Sequence, residues 1–183
     1  MGCSATLPAP GFRFTAESNI VSKKKSSTNP LKFYSSYGWT NLTTGALASR
    51  MQTATERIKA LRKKLKFSAM AFTGSSGAAI AFIVGVAAQI PIIYVRKDDE
   101  SCHGNRVECN TDKDIQRYLI VDDFISSGDT IRGIYDKIQA RARDFNYKEP
   151  TCVGIYLYDA ADSSYSSSTI KMNDNKVINI FTP

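Results

Sequence analysis

Residues 118 to 131 read YLIVDDFISSGDTI, and the fold turns on how this stretch is parsed. Residues 118 to 121 form an apolar run of strand length, Asp122 and Asp123 follow with no spacer, and a Ser/Gly/Asp/Thr turn over 126 to 130 precedes a helical pattern over 131 to 145. The acids look built to repel an anion, and the turn looks built to hold one. Both acids fall where the strand leaves the sheet, so the pleat no longer sends them to opposite faces and one crevice receives both. Adjacent carboxylates accept hydrogen bonds from a vicinal diol and offer hard oxygens to Mg²⁺, directly or through water. At the start of a helix, Ser126, Ser127, Gly128 and Thr130 surround an anion with backbone N–H groups, hydroxyls and the positive end of the helix dipole, and Gly128 lets the chain approach without a Cβ. The two halves agree if the ligand is two-sided, with hydroxyls at one end and phosphate at the other, as in a ribose 5-phosphate unit. Asp129 suits this ligand only if its side chain points outward.

Outward from this stretch the chain repeats one pattern. Short apolar runs at 67 to 72, 91 to 95, 118 to 121, 151 to 158 and 177 to 181 read as strands, with helical segments at 78 to 89 and 131 to 145 between them. Parallel neighbours need helical crossovers, so this alternation predicts an α/β fold with a doubly wound, mostly parallel five-stranded sheet. In such sheets ligands sit at the carboxyl ends of the strands, where the turn Thr73, Gly74, Ser75, Ser76 and Gly77 also lies. Upstream, Leu47, Met51, Ala54, Ile58, Leu61 and Leu65 recur at helical spacing, with Thr43 or Thr44 placed to cap the helix.

Residues 1 to 41 carry prolines, the basic run at 23 to 25 and the aromatics Phe33, Tyr34, Tyr37 and Trp39 without a sustained period, which suggests an arm or a small hood on a domain spanning 42 to 183. Residues 97 to 116 are polar and aperiodic, the character of a lid inside a compact domain. At 183 residues, the chain suits one core better than two. Its four cysteines show no CxxC spacing, which fits a reducing, cytoplasmic setting. The longest apolar run, 78 to 95, is interrupted by Gln89 and Pro91 and reads as helix then strand, so no membrane partner is expected. The opening MGCSAT fits the loose N-myristoylation pattern, which nothing else in the chain supports. The net charge of +7 favours anionic ligands without separating a nucleic acid from a phosphorylated metabolite.

The stretch at 118 to 131 resembles the phosphoribosyl-pyrophosphate signature of the type I phosphoribosyltransferases, and the resemblance extends over residues 67 to 158. It implies that Asp122, Asp123, Phe124, Ile125, Ser126, Ser127, Gly128, Asp129 and Thr130 bind phosphoribosyl pyrophosphate (PRPP), with Mg²⁺ at Asp122 and Asp123. It implies that Thr73, Gly74, Ser75, Ser76 and Gly77 bind pyrophosphate, and that a mobile lid follows the strand ending near Val95. Asp122, Asp123, Arg96, Lys97 and His103 are the expected catalytic residues. The string RK…HG is similar to the lid of the orotate enzymes, but Ser101, Cys102 and Asn105 depart from that lid, and a Lys those enzymes use is absent.

Enzymes acting on 6-oxopurines carry Asp where this chain has Ser126. A serine does not serve as that base unaided at neutral pH, so hypoxanthine and guanine are disfavoured, and an orotate-like pyrimidine, adenine or another base stays open. Tyr158 and Asp159, with Asp162 and Tyr165 nearby, are candidates to hold the base. Breaking the C1–O bond puts positive charge on the ribose and negative charge on the departing pyrophosphate, so cationic donors and exclusion of water are required. A homodimer is expected from the resemblance. The alternative is a non-catalytic regulatory protein that binds PRPP or a nucleotide and uses its basic surface for RNA or DNA.

Overall fold

The computed structural model describes residues 44–100, 104–160 and 165–183. The arm expected over residues 1 to 41, together with His103 and Asp162, lies outside the described residues. The elements run in the order α1 (Thr44–Leu65), β1 (Ala69–Phe72), α2 (Gly74–Ala88), β2 (Ile92–Val95), β3 (Val107–Cys109), β4 (Arg117–Asp122), α3 (Asp129–Asp144), β5 (Thr151–Leu157), β6 (Thr169–Lys171) and β7 (Val177–Phe181).

All strands join one sheet in the order β3-β2-β1-β4-β5-β7-β6. The strands β2, β1, β4, β5 and β7 are parallel to their neighbours within this run, as the alternation of strands and helices predicts. Two more strands lie at its edges, making seven among the described residues where five were expected. β3 pairs antiparallel with β2 inside the segment read as a lid, and β6 pairs antiparallel with β7.

Alternation along each strand divides the core in two. Ala69, Ala71, Ile93, Tyr118, Ile120, Ile155 and Leu157 face the layer containing α3, where Ile131, Ile134, Tyr135 and Ile138 pack. Met70, Phe72, Ile92, Leu119, Val121 and Tyr156 face the layer of α1 and α2, against Ala54, Ile58, Leu61, Ile80 and Val84. The period of two in the strands therefore meets a helical stripe on each side, which makes the sheet doubly wound.

The helix ends show how the layers are fixed. α2 begins at Gly74, so the Gly/Ser segment expected as a turn is the first turn of a helix, with Thr73 in extended backbone as its N-cap. At its other end Gln89 adopts a left-handed conformation (φ 50°) and its N–H returns to the carbonyls of Gly85 and Val86. The Arg62 guanidinium of α1 donates to the Ala88 and Gln89 carbonyls at 3.1 and 3.4 Å, which supplies partners to carbonyls that a helix terminus leaves open. Among the described residues no helix is long and apolar enough to cross a membrane.

Counted along the chain, the five parallel strands lie in the order 2-1-3-4-5, so connections leave β1 and β4 on opposite faces of the sheet. A crevice opens at that reversal, beyond the carboxyl ends of β1 and β4. Gly77 sets how closely α2 approaches it. A Cβ at this position would lie 2.8 Å from Cβ of Phe72 and 3.2 Å from the carbonyl oxygen of Val121, neither of which yields easily. Gly77→Ala is expected to lower the unfolding free energy by about 1–3 kcal/mol through this overlap, measured by urea denaturation. An unchanged midpoint would show that α2 is free to move outward.

Candidate active site

Strand β4 carries the central pair. Asp122 and Asp123 are only 4% and 7% exposed, and both face a cavity of about 240 Å³ at the sheet reversal. The backbone beneath them is fixed because the β4–β5 ladder continues past the strand ends. Tyr158 N–H donates to the Asp122 carbonyl at 3.1 Å, and Asp159 N–H donates to the Asp123 carbonyl at 3.0 Å. Asp122 Oδ1 accepts from Ser76 Oγ at 3.2 Å and from Asp123 N–H at 3.0 Å, while Asp123 Oδ1 accepts from Phe124 N–H at 2.9 Å. Burial, and then the charge of Asp123, push the Asp122 carboxyl up to about 7.

Four segments meet around the cavity. The start of α2 contributes its N-cap Thr73 and Ser76, the chain after β2 contributes Lys97, and the end of β4 contributes both acids. Phe124, Ile125, Ser126, Ser127 and Gly128 from the loop before α3, with Thr130 from its first turn, line the remainder. The two helices that open here, α2 and α3, come from opposite faces of the sheet; neither N-cap residue, Thr73 or Gly128, caps its helix with a side chain, and at α3 only the Asp129 N–H is met, by Ser127 Oγ at 3.3 Å. Thr73 instead donates its hydroxyl to the Val95 carbonyl, which ties the ends of β1 and β2 together. Helix N-termini carry N–H groups without intrahelical partners and a partial positive charge, so both ends favour an anion in the space between them.

Gly128 is needed for two reasons. Its φ is +85°, and a Cβ would lie 2.6 Å from Cδ1 of Ile170 and 3.2 Å from a guanidinium nitrogen of Arg132. The crowding comes from the protein itself, in addition to any need for close approach by a ligand. Asp129 points away from the cavity. Its carboxylate is 83% exposed, accepts from Ser127 Oγ at 2.7 Å and pairs with Arg132 at 3.3 Å.

Several expected site residues stand elsewhere. Gly77 packs α2 against Phe72 and the Val121 carbonyl, and Ser75 is exposed and does not line the cavity. Gly74 has φ +61°, a conformation that disfavours any other residue, and borders the end of the Lys97 side chain. Arg96 turns back along the sheet edge, where its Nε donates to Glu108 at 2.9 Å and its guanidinium lies 5.0 Å over the Tyr94 ring. Tyr158 is buried, and its hydroxyl donates to the Ser76 carbonyl at 2.8 Å, which joins β5 to the first turn of α2. Burial first, then the nearby carboxylates, raise its pKa, so it remains a neutral phenol. Asp159 forms an ion pair with Arg50 of α1. Tyr165 packs partly buried against the core on the α3 side.

Arg50, Arg106 and Lys137 do not stand out in the sequence. The partners of Arg50 and Lys137 are distant along the chain, those of Arg106 lie eight and nine residues before it, and no local period marks any of the three. Among the described residues no group of three or more His, Cys, Asp or Glu side chains is arranged to hold a metal ion by itself. The paired acids nonetheless suit a hard cation such as Mg²⁺, which keeps most of its coordination for water and substrate oxygens.

No family model matches the chain, and no curated protein matches it in sequence. Solved structures do match in shape. Adenine phosphoribosyltransferase from Saccharomyces cerevisiae, complexed with D-2,5-dideoxy-2,5-imino-altritol 1,6-bisphosphate and adenine, is 14% identical with a TM-score of 0.54, covering 76% of this chain and 79% of that one. Another adenine phosphoribosyltransferase is 13% identical with a TM-score of 0.53, covering 76% and 81%. Orotate phosphoribosyltransferase from Aeropyrum pernix is 16% identical with a TM-score of 0.47, covering 63% of this chain and 59% of that one, so the match spans less than two thirds of that relative. The fold is that of the type I phosphoribosyltransferases.

The buried pair gives a pH signature. The folded pKa of Asp122, about 7, lies above the ordinary value of 3.8, so the folded state holds its proton more tightly. Without divalent cation, this group's contribution is most favourable below about pH 4 and is lost as pH rises through 7. Asp122→Asn is expected to flatten the loss of stability between pH 5 and pH 8 by roughly 1–3 kcal/mol, read by urea denaturation at both values. Equal slopes for the variant and the parent would contradict the assigned burial.

Proposed function

We propose that this chain is a phosphoribosyltransferase that joins a nitrogenous base to C1 of PRPP and releases pyrophosphate. The observation that carries this reading is the single cavity in which two helix N-termini, Lys97 and a buried pair of carboxylates converge. Only a ligand with hydroxyls and phosphates on opposite sides suits all of them. The ribose hydroxyls fall to Asp122 and Asp123, and the 5-phosphate to the loop from Ser126 to Thr130. The pyrophosphate is assigned to the start of α2 at Thr73, Gly74 and Ser76, beneath the Lys97 ammonium.

In the forward reaction a base nitrogen forms the new bond to C1 as the C1–O bond to pyrophosphate breaks, the electron pair leaves with the pyrophosphate, and the proton of that nitrogen passes to solvent or to the departing pyrophosphate. Lys97 and the backbone N–H groups of α2 stabilise that developing negative charge from fixed positions. The carboxylates hold the ribose while its ring carries partial positive charge. Bound Mg²⁺ at Asp122 and Asp123 would supply charge neutralisation for the diphosphate oxygens and relieve the repulsion between the two acids.

Ser126 supports an orotate-like pyrimidine or another base outside the 6-oxopurines. A cytoplasmic setting is consistent with the free thiols of Cys109 and Cys152. A second reading, a non-catalytic protein that binds PRPP or a nucleotide, is favoured by one fact. Of Arg96 and Lys97, only Lys97 lines the cavity.

The test is pyrophosphate release with PRPP, Mg²⁺ and a panel of orotate, uracil, adenine, guanine, hypoxanthine, xanthine and nicotinate, beside calorimetry of PRPP binding. Release is expected with one non-6-oxopurine base, and Asp122→Asn with Asp123→Asn is expected to abolish PRPP binding while leaving a folded protein. Binding without release for any base would establish the second reading. Undiminished affinity in the double variant would defeat both.

The homodimer belongs to the same proposal. α2 has no charged residue among its fifteen, yet leaves Phe82, Ile83 and Val86 exposed, the last at 82%. A charge-free apolar face meets its own copy across a two-fold axis without repulsion, so a second copy is the occupant assigned to it. Light scattering is expected to show a dimer that Phe82→Glu with Val86→Glu converts to a folded monomer. A monomeric parent protein would remove this assignment.

A further inference from the structure

We infer that Lys137 is a positioning residue, which sets the Lys97 ammonium over the cavity by holding residues 96–98 against α3. This inference rests on the phosphoribosyltransferase reading for the purpose of Lys97, while the placement itself is a matter of geometry. The chain leaving β2 is gripped at three successive carbonyls. Lys137 Nζ donates to the Arg96 carbonyl at 2.9 Å, and Arg106 donates to the Lys97 and Asp98 carbonyls at 3.3 and 3.2 Å. The Asp98 carboxylate joins both cations, at 2.9 Å from Lys137 Nζ and 3.5 Å from Arg106.

The side chains of neighbouring residues then diverge. Asp98 goes toward α3, and Lys97 goes toward Gly74, where a Cβ would lie 3.1 Å from Lys97 Cε and 3.4 Å from its Nζ. Gly74 is the first residue of α2. An ammonium beside a helix N-terminus faces a partial charge of its own sign, so local attraction does not explain its position. The backbone grip does. An anion between the two removes the conflict, which is the situation a bound diphosphate creates.

An exposed ion pair alone contributes little to stability, and Asp98 is 85% exposed. The Lys137 side chain is 24% exposed, and its bond to the Arg96 carbonyl is partly buried. Its consequence is therefore local, the direction taken by the Lys97 side chain. Because Lys137 lies two turns into the helix that opens at the phosphate loop, it also fixes Lys97 relative to that loop.

The test is a double-mutant cycle of Lys137→Met and Lys97→Met, with Lys137→Arg as the conservative variant. The probe is inorganic pyrophosphate with Mg²⁺, measured by calorimetry. Lys137→Met is expected to weaken binding about fivefold or more when Lys97 is present and less than about twofold when it is absent, since two groups acting as a unit are not additive. Lys137→Arg is expected to restore most of the affinity. Equal losses in both backgrounds would show that Lys137 acts by another route and overturn the inference.

A second readout needs no ligand. The rate at which an amine-acetylating reagent modifies Lys97, followed by mass spectrometry, is expected to rise in Lys137→Met and in Asp98→Asn, both of which should fold normally. An unchanged rate overturns the positioning role. If the parent protein does not bind pyrophosphate, the proposed function fails on that count, and the labelling rate alone decides whether Lys137 places Lys97.

Discussion

Two carboxylates buried side by side at the end of a parallel strand set the terms for what surrounds them. Ionising both in low dielectric is unfavourable, and the upward displacement of Asp122 records that cost. The protein offsets part of it with short-range donors, namely Ser76 Oγ and the N–H groups of Asp123 and Phe124. The order reversal between β1 and β4 offsets more, because it aims helices from both layers at the same spot. A sheet with both connections on one face would not bring α2 and α3 to a common cavity. The topology and the electrostatics of the site are thus one constraint seen at two scales.

The same constraint explains why several residues expected to touch a ligand are engaged with the protein. Tyr158 and Asp159 follow the strand next to the acids, and their backbone N–H groups hold the acid-bearing segment in register. Their side chains then reach Ser76 and Arg50, locking α2 and α1 to the end of β5. Holding two like charges in place takes a rigid surround, and these contacts provide it.

Much of this was legible in the sequence. Four of the five parallel strands announce themselves because strands buried on both faces are near-continuous apolar runs, while β7 is exposed at alternate positions, and the acids with the Ser/Gly/Thr loop stand out by contrast. β3 and β6 do not, since VEC and TIK are too short to show a period and are held by backbone pairing to a strand already in place. The start of α2 reads as a turn in the sequence because Gly, Ser, Ser and Gly favour turns by propensity, and close packing of Gly77 on Phe72 overrides it. Arg50 and Lys137 were invisible for another reason. Each derives its role from a partner that only the folded chain brings near.

Helix α3 gathers these threads. Its stripe of Ile131, Ile134, Tyr135 and Ile138 seats it in the core, its N-terminus continues directly from the loop that lines the cavity, and Lys137 grips the chain after β2. On a third side, Tyr135 donates to Asp174 at 2.7 Å, Asp136 accepts from Asn173 at 2.6 Å, and Arg132 donates to the Lys171 carbonyl at 3.1 Å, which ties the β6–β7 hairpin to the helix. Ile170 of that hairpin presses on Gly128 in return. A small displacement of α3 would therefore carry the loop, Lys97 and the hairpin together, and would change chiefly their distance from Gly74 and α2. The cavity thus has one wall built as a unit on α3 and an opposing wall built on α2, with the two acids at the seam between them.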